Sequence, residues 1–135
     1  MEKVRYGLLD RALVERLAEA MRGGSVGVVY AERPGREEPD ERLLREAGES
    51  GLAVVELASV CGDCLLFVQP PPRDDRLTAF ASALGVGAAV GYALAEPPLA
   101  VDSASATEAA EAAVYRAIKS AMRQAVRRGD RKSVV

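Results

Sequence analysis

Helical and strand-like spacings of hydrophobic residues alternate along the chain. After Asp10, apolar side chains recur every three to four residues, which predicts an amphipathic helix with Asp10 as its N-cap. Gly23 and Gly24 end this helix. Residues 25–31 are then almost continuously apolar and rich in Val, which is typical of a strand covered on both faces. The predicted buried face of the helix consists of Leu13, Val14, Leu17 and Met21.

A second helix and strand follow the first strand. Pro39 fits the first turn of a helix, and the acidic residues Asp40 and Glu41 suit its positive end. Residues 52–57 have the composition of another buried strand. We therefore predict a βαβ unit at 25–57 with parallel strands and a right-handed crossover. Its helix is expected to bury Leu43, Leu44 and Ala47.

The middle of the chain contains a third strand and an ambiguous segment. Residues 64–69 predict a strand, which the three prolines that follow it must end. Residues 77–95 carry no charge, a run just long enough to raise the question of a membrane span. Their many Ala and Gly residues insert weakly into lipid, so we expect them to be buried in protein. They fit either a helix, a turn and a strand, or one continuous helix.

The last predicted element is an amphipathic helix over 105–128, which Gly129 ends. A basic, frayed tail at 129–135 follows. With 135 residues, 49% of them hydrophobic and 28% charged, the chain fits one globular domain, 1–135. We predict a small α/β domain of two or three layers, with about four helices. Its sheet is expected to be mostly parallel, or mixed, with about three to five strands.

Histidine is absent, which removes whole classes of chemistry. Without imidazole there is no Ser-His-Asp or Cys-His catalysis and no histidine-ligated zinc. The beginning of the chain lacks an apolar leader, so we expect a cytoplasmic protein. The chain also lacks Asn and is rich in Arg, a composition that favours a thermophilic source.

The predicted parallel sheet places candidate ligand-binding residues at one rim. In such sheets ligands bind beyond the carboxyl ends of the strands. Here those ends carry Glu32, Arg33, Ser59, Gln69 and Arg73. The alternative is that these loops are solvated turns.

Carboxylates offer a possible catalytic site at the same rim. Glu32, Asp63 and either Asp74 or Asp75 would hold Mg²⁺ for phosphoryl transfer or nuclease chemistry if they converged. Helix capping is the competing explanation for the acidic residues that stand at helix starts. Outside this alternative we predict no metal and no cofactor.

The cysteine pair Cys61 and Cys64 has the CxxC spacing of a disulfide, a redox pair or half a metal site. The second cysteine leads into a strand rather than a helix, so the helix dipole that activates a thiol is missing. We therefore favour structural thiols or a disulfide, while Cys61 stays a candidate nucleophile.

Charge separates along the chain, because residues 32–56 are net acidic and residues 105–135 are net basic. This separation predicts self-association, or contact of the basic end with an acidic partner or nucleic acid. Only 4% of residues are aromatic, which argues against a base-stacking platform. The residues expected to make tail contacts are Arg123, Arg127, Arg128, Arg131 and Lys132.

The leading functional prediction is a small soluble binding or interaction module that forms a homo-oligomer and holds a ligand or partner at the rim. The alternatives are the carboxylate enzyme acting on nucleic acid, and a thiol redox protein. The sequence leaves open whether the chain is an enzyme.

Overall fold

The computed structural model describes residues 9–32, 40–60, 63–85, 88–97 and 103–134, and the side chains at 40, 60, 103–105 and 126–134 fall outside that description. Within these ranges the chain forms four helices and four strands in the order α-β-α-β-β-α-β-α. The helices are α1 (Arg11–Met21), α2 (Asp40–Glu49), α3 (Asp74–Leu84) and α4 (Ser103–Val134). The strands are β1 (Val26–Glu32), β2 (Val54–Val60), β3 (Asp63–Val68) and β4 (Ala89–Ala95).

The sheet has the order β2-β3-β1-β4, and all neighbouring strands are antiparallel. The prediction of a mostly parallel sheet was therefore wrong. β1 and β2 do run in the same direction around α2, but β3 lies between them and pairs with both. The physical reason is the short β2–β3 connection, in which Val60 pairs with Asp63. So short a link can join only antiparallel strands, since a parallel crossover needs about a dozen residues.

Two split βαβ units interlock in this sheet. β1, α2 and β2 form one, with β3 inserted between its strands, and β3, α3 and β4 form the other, with β1 inserted. This connection and strand order are those of the ferredoxin-like topology. α1 precedes the interlocked units and α4 follows them.

A hydrophobic core lies on each face of the sheet, so the domain has three layers. On one face α1 and α4 pack against Val28 and Tyr30 of β1 and against Leu65 and Phe67 of β3. On the other face α2 and α3 pack against the alternate side chains of the same strands, among them Val29, Leu66 and Val68. Coverage of both faces explains why β1 and β3 are almost continuously apolar. The α/β architecture is confirmed.

The helix predicted after Asp10 is correct in detail. The Asp10 side chain accepts a hydrogen bond from the Leu13 backbone N–H at 2.8 Å, as an N-cap does. The four apolar residues predicted to face the core are all buried. In α2 the prediction fails at one position, because Leu44 is 36% exposed.

Residues 77–95 form a helix end, a connection and a strand rather than one helix: α3 ends at Leu84 and β4 begins at Ala89. α4 continues past Gly129 to Val134, beyond its predicted end. In the described parts of the chain, no helix combines the length and apolar character needed to cross a bilayer.

Candidate functional site

The antiparallel sheet separates the residues predicted to form one rim. Glu32 and Ser59 lie near Asp63 at one end of the sheet, because Ala31 and Ser59 both pair with Cys64. Gln69 and Arg73 follow β3 at the other end, since Gly27 near the start of β1 pairs with Val68. The strands between the two ends span roughly 20 Å. Arg33 lies outside the described residues.

The carboxylates do not converge. Asp74 begins α3 at the end of the sheet opposite Glu32 and Asp63. Asp63 is also engaged in the fold, because its Oδ2 accepts a hydrogen bond from the Tyr30 hydroxyl at 2.9 Å. Among the described residues, no three side chains of the Cys, Asp and Glu types come together as metal ligands. The trio expected to hold Mg²⁺ therefore does not form.

Gln69 contacts the end of α1, and Arg73 stands at the start of α3. The Gln69 Nε2 donates to the backbone carbonyl of Ala20 at 2.8 Å and lies 3.3 Å from that of Gly24. It thereby adds a second donor to the Ala20 carbonyl, which also accepts from the Gly23 N–H at 3.0 Å, and ties the end of β3 to the end of α1. Arg73 is the N-cap of α3, and no side-chain hydrogen bond caps that helix.

The cysteine prediction is only partly covered by the structure. Cys64 is fully buried in β3, on the face covered by α2 and α3. Cys61 lies outside the described residues, so the disulfide or redox pair stays a prediction. Of the predicted tail contacts, Arg123 is exposed on α4. The side chains of the other four, Arg127, Arg128, Arg131 and Lys132, lie outside the described residues.

The open edge of β4 is a feature that the sequence reasoning missed. β4 is the last strand of the sheet, and in the described parts of the chain nothing pairs with its outer side. It contains no charged residue and no proline, and it pairs with β1 in unbroken register over its full length. Such a flat, apolar edge is a template for another strand. The signal was present as the uncharged stretch 77–95, but strand order is not visible in a sequence.

The other edge of the sheet, β2, is protected. Its pairing with β3 is interrupted by an irregularity between Val54 and Glu56. The Glu56 carboxylate is also held by Arg16 of α1, at 2.8 and 3.1 Å. A bulge and a charged side chain are two of the devices that prevent edge pairing. β4 has neither, although α4 contacts it at Gly91, which is buried.

A cleft of about 290 Å³ lies between β4 and α3, and we call it the α3-side cleft. Its polar side chains come from three elements: Asp74 and Thr78 from α3, Tyr92 from β4 and Gln124 from α4. The apolar remainder of its lining is Leu77 and Val90.

Tyr92 occupies its place because β1 has a glycine beside it. A side chain at Gly27 would come within 2.8 Å of the Tyr92 ring. Burial raises the pKa of the Tyr92 phenol, and the nearby Asp74 carboxylate raises that pKa further. The hydroxyl therefore stays protonated at neutral pH, able both to donate and to accept a hydrogen bond.

A second cleft, of about 430 Å³, lies between the later part of β4 and α4. We call it the α4-side cleft. It contains Leu94, which is 40% exposed, together with Glu96 of the following loop and Arg116 of α4. Gln124 of α4 lines both clefts. The remaining lining residues are Ala93, Ala113, Ala117 and Ser120.

Helices cover both faces of the sheet, so its strands do not present a surface on which nucleic-acid bases could stack. The exposed features of the sheet are thus its edges. No protein-family model matches this chain, and no curated protein or solved structure is significantly similar to it.

Proposed function

We propose that this chain is an interaction module that binds an extended segment of a partner protein as an additional strand on the outer edge of β4. The observation that carries the proposal is the open, uncharged edge of β4 with a cleft on each side of it. This keeps the sequence-based prediction of a binding module. It moves the site from the rim of the sheet to its edge.

Strand addition uses the two kinds of group that this edge offers. Main-chain N–H and C=O groups along an edge strand supply affinity, and pockets for alternate side chains supply specificity. Side chains of an added strand point alternately to the two faces of the sheet. The α3-side cleft would receive one set, and the α4-side cleft would receive the other.

The position of α4 favours a separate segment over a second copy of β4. α4 lies directly on β4, since Gly91 contacts the backbone of Ala121. Two β4 strands paired across a two-fold axis would be about 4.8 Å apart. Two packed helices need about 8–10 Å between their axes. Symmetric antiparallel pairing of β4 would place the two copies of α4 side by side on the same face of the joined sheet, whereas a single extended segment brings no helix with it.

The test uses a synthetic peptide of about eight residues, alternating Thr and Val, with one central Thr replaced by Gln and a Trp at its N-terminus. The protein contains no Trp, so the fluorescence of the peptide reports binding. We expect binding, with protection of the β4 backbone amides from hydrogen exchange. N-methylation of alternate peptide residues should abolish binding, because it removes backbone donors without changing the protein.

Two exposed apolar residues on opposite edges provide matched variants. Leu94→Lys places a charge on the β4 edge, and Val55→Lys places the same charge on β2, where the side chain is 44% exposed. We expect about tenfold weaker peptide binding for Leu94→Lys and no change for Val55→Lys. Equal binding by both variants, or retained binding of the N-methylated peptide, would refute strand addition at β4. A dimer of the unliganded protein that Leu94→Lys alone dissociates would replace the partner segment with a second copy of the chain.

A further inference from the structure

Among the described residues, Asp74 is the only charged one that lines the α3-side cleft. In the described parts of the chain no arginine or lysine forms an ion pair with Asp74, while the neighbouring Arg73 lies 3.9 Å from the Asp75 carboxylate instead. The carboxylate of Asp74 is thus available to a cation that enters the cleft.

The other polar side chains of the cleft each carry an oxygen atom that can accept a hydrogen bond. The hydroxyl groups of Thr78 and Tyr92 and the amide oxygen of Gln124 come from three elements and stand around the same space as the Asp74 carboxylate. An ammonium group has three donors and no acceptor, so it matches acceptors that approach from several directions. The apolar side chains of Leu77 and Val90 suit an aliphatic stem.

We infer that the α3-side cleft selects a lysine side chain of the added segment, with its ammonium group at Asp74 and its stem on Leu77 and Val90. The inference rests on the proposed strand addition and specifies its ligand. Arginine fits less well, because its planar guanidinium is best matched by bidentate contact with a carboxylate. A divalent metal ion fits less well too, since it prefers several carboxylate ligands and the cleft has one.

The phenol of Tyr92 supports this assignment. A tyrosine phenol is neutral at physiological pH, and burial and Asp74 raise the pKa of Tyr92 further, so it adds no second negative charge to the cleft. One carboxylate then meets one ammonium group, and the bound pair is neutral.

The experiment compares three versions of the peptide, with Lys, Gln or Glu at its central position. On the unchanged protein we expect the Lys peptide to bind about tenfold more tightly than the Gln peptide, and the Glu peptide to bind most weakly. Asp74→Asn should remove the difference between the Lys and Gln peptides. Asp75→Asn is the matched control, because it removes the same charge from the same helix turn but does not line the cleft.

A second probe separates the cleft from the edge. N-acetyl-lysine methylamide carries the side chain but is too short to form a strand, and its binding is followed by shifts of the Thr78 and Tyr92 NMR signals. If the Gln peptide binds β4 and the Lys peptide shows no preference, lysine selection is refuted while strand addition stands. If the lysine amide binds the unchanged protein but not Asp74→Asn, and no peptide protects β4, then the cleft does bind a lysine side chain through Asp74 and strand addition is refuted. Equal loss of Lys preference in Asp74→Asn and Asp75→Asn would also refute the assignment, because it would show only a general charge effect.

Discussion

Gly91 on β4 faces the backbone carbonyl of Ala121 on α4 so closely that no side chain fits between them. The contact seats α4 directly on the edge strand. It also sets the position of one wall of the α4-side cleft, since Ala117, Ser120 and Gln124 of the same helix line that cleft.

Replacing Gly91 with Ala should therefore displace α4. The added methyl group would overlap the Ala121 carbonyl, and overpacking of this kind costs about 2–3 kcal/mol. Urea unfolding measures the loss. Gly48→Ala in α2 is the control, because nothing lies within 4 Å of the added atom. A helical alanine there should stabilise the protein by roughly 0.5–1 kcal/mol. A Gly91→Ala protein as stable as the parent would show that α4 does not rest on β4 in this way.

The Gln69 side chain connects the end of β3 to the end of α1 through a hydrogen bond from its Nε2. Substitutions that remove this donor should lower the free energy of unfolding. Gln69→Met keeps the shape but removes the 2.8 Å hydrogen bond to the Ala20 carbonyl, which should cost about 1 kcal/mol, because that carbonyl still accepts from the Gly23 N–H. Gln69→Glu should cost more at neutral pH, because a carboxylate would face the carbonyl oxygens of Ala20, Gly24 and Ser25. Chemical denaturation gives the order of the two variants. If Gln69→Glu were the more stable of the two, the hydrogen-bonding role of Gln69 would be wrong.

Tyr92 should make the fold sensitive to alkali. The pKa of its phenol is raised above the ordinary value of 10.0 by burial and by Asp74. As the pH rises past 10, the unfolded chain loses this proton before the folded protein does, so the free energy of unfolding falls. The stabilising effect is fully present below pH 10 and disappears above it. The free energy of unfolding, measured at successive alkaline pH values, should therefore decrease more steeply with pH for the parent than for Tyr92→Phe. An equal decrease in both proteins would contradict the raised pKa of Tyr92.

Arg16 and Glu56 connect α1 to the protected edge β2. Their two contacts, at 2.8 and 3.1 Å, raise the pKa of the Arg16 guanidinium, which is charged at neutral pH in any case. A double-mutant cycle of Arg16→Gln and Glu56→Gln should show a favourable coupling that weakens between about 0.02 and 0.5 M salt. The pair Arg11–Glu15, which is 3.4 Å apart and exposed on both sides, is the control and should show a smaller coupling. A coupling independent of salt would rule out an exposed ion pair.

Much of the secondary structure was predictable because burial on one or two faces imposes a local period on the sequence. The spacing of Leu13, Val14, Leu17 and Met21 identified the buried face of α1, and the structure buries all four. Asp10 was recognisable as an N-cap because its short side chain reaches a free backbone N–H of the first turn.

The antiparallel direction of β2 and β3 was predictable too, from the short connection between these strands, which the prediction of a parallel sheet did not take into account. Predicted strands at 52–57 and 64–69 leave only a few residues between them, too few for a parallel crossover. The pairing of Val60 with Asp63 is the antiparallel hairpin that this length requires. A helix between two strands does set their common direction, as α2 does for β1 and β2. It does not make those strands neighbours.

The order of amino acids was enough to predict most of the helices and strands, and the absence of histidine excluded imidazole chemistry. The folded structure was needed to show that, among the described residues, no strand pairs with the outer edge of β4 and that Asp74, Tyr92 and Gln124 line one cleft. The local spacing of apolar residues indicates which side chains are buried, because the geometry of a helix or strand decides which of its residues face the core. Strand order and the meeting of distant side chains depend on pairings between remote segments. Those pairings leave no local pattern in the sequence.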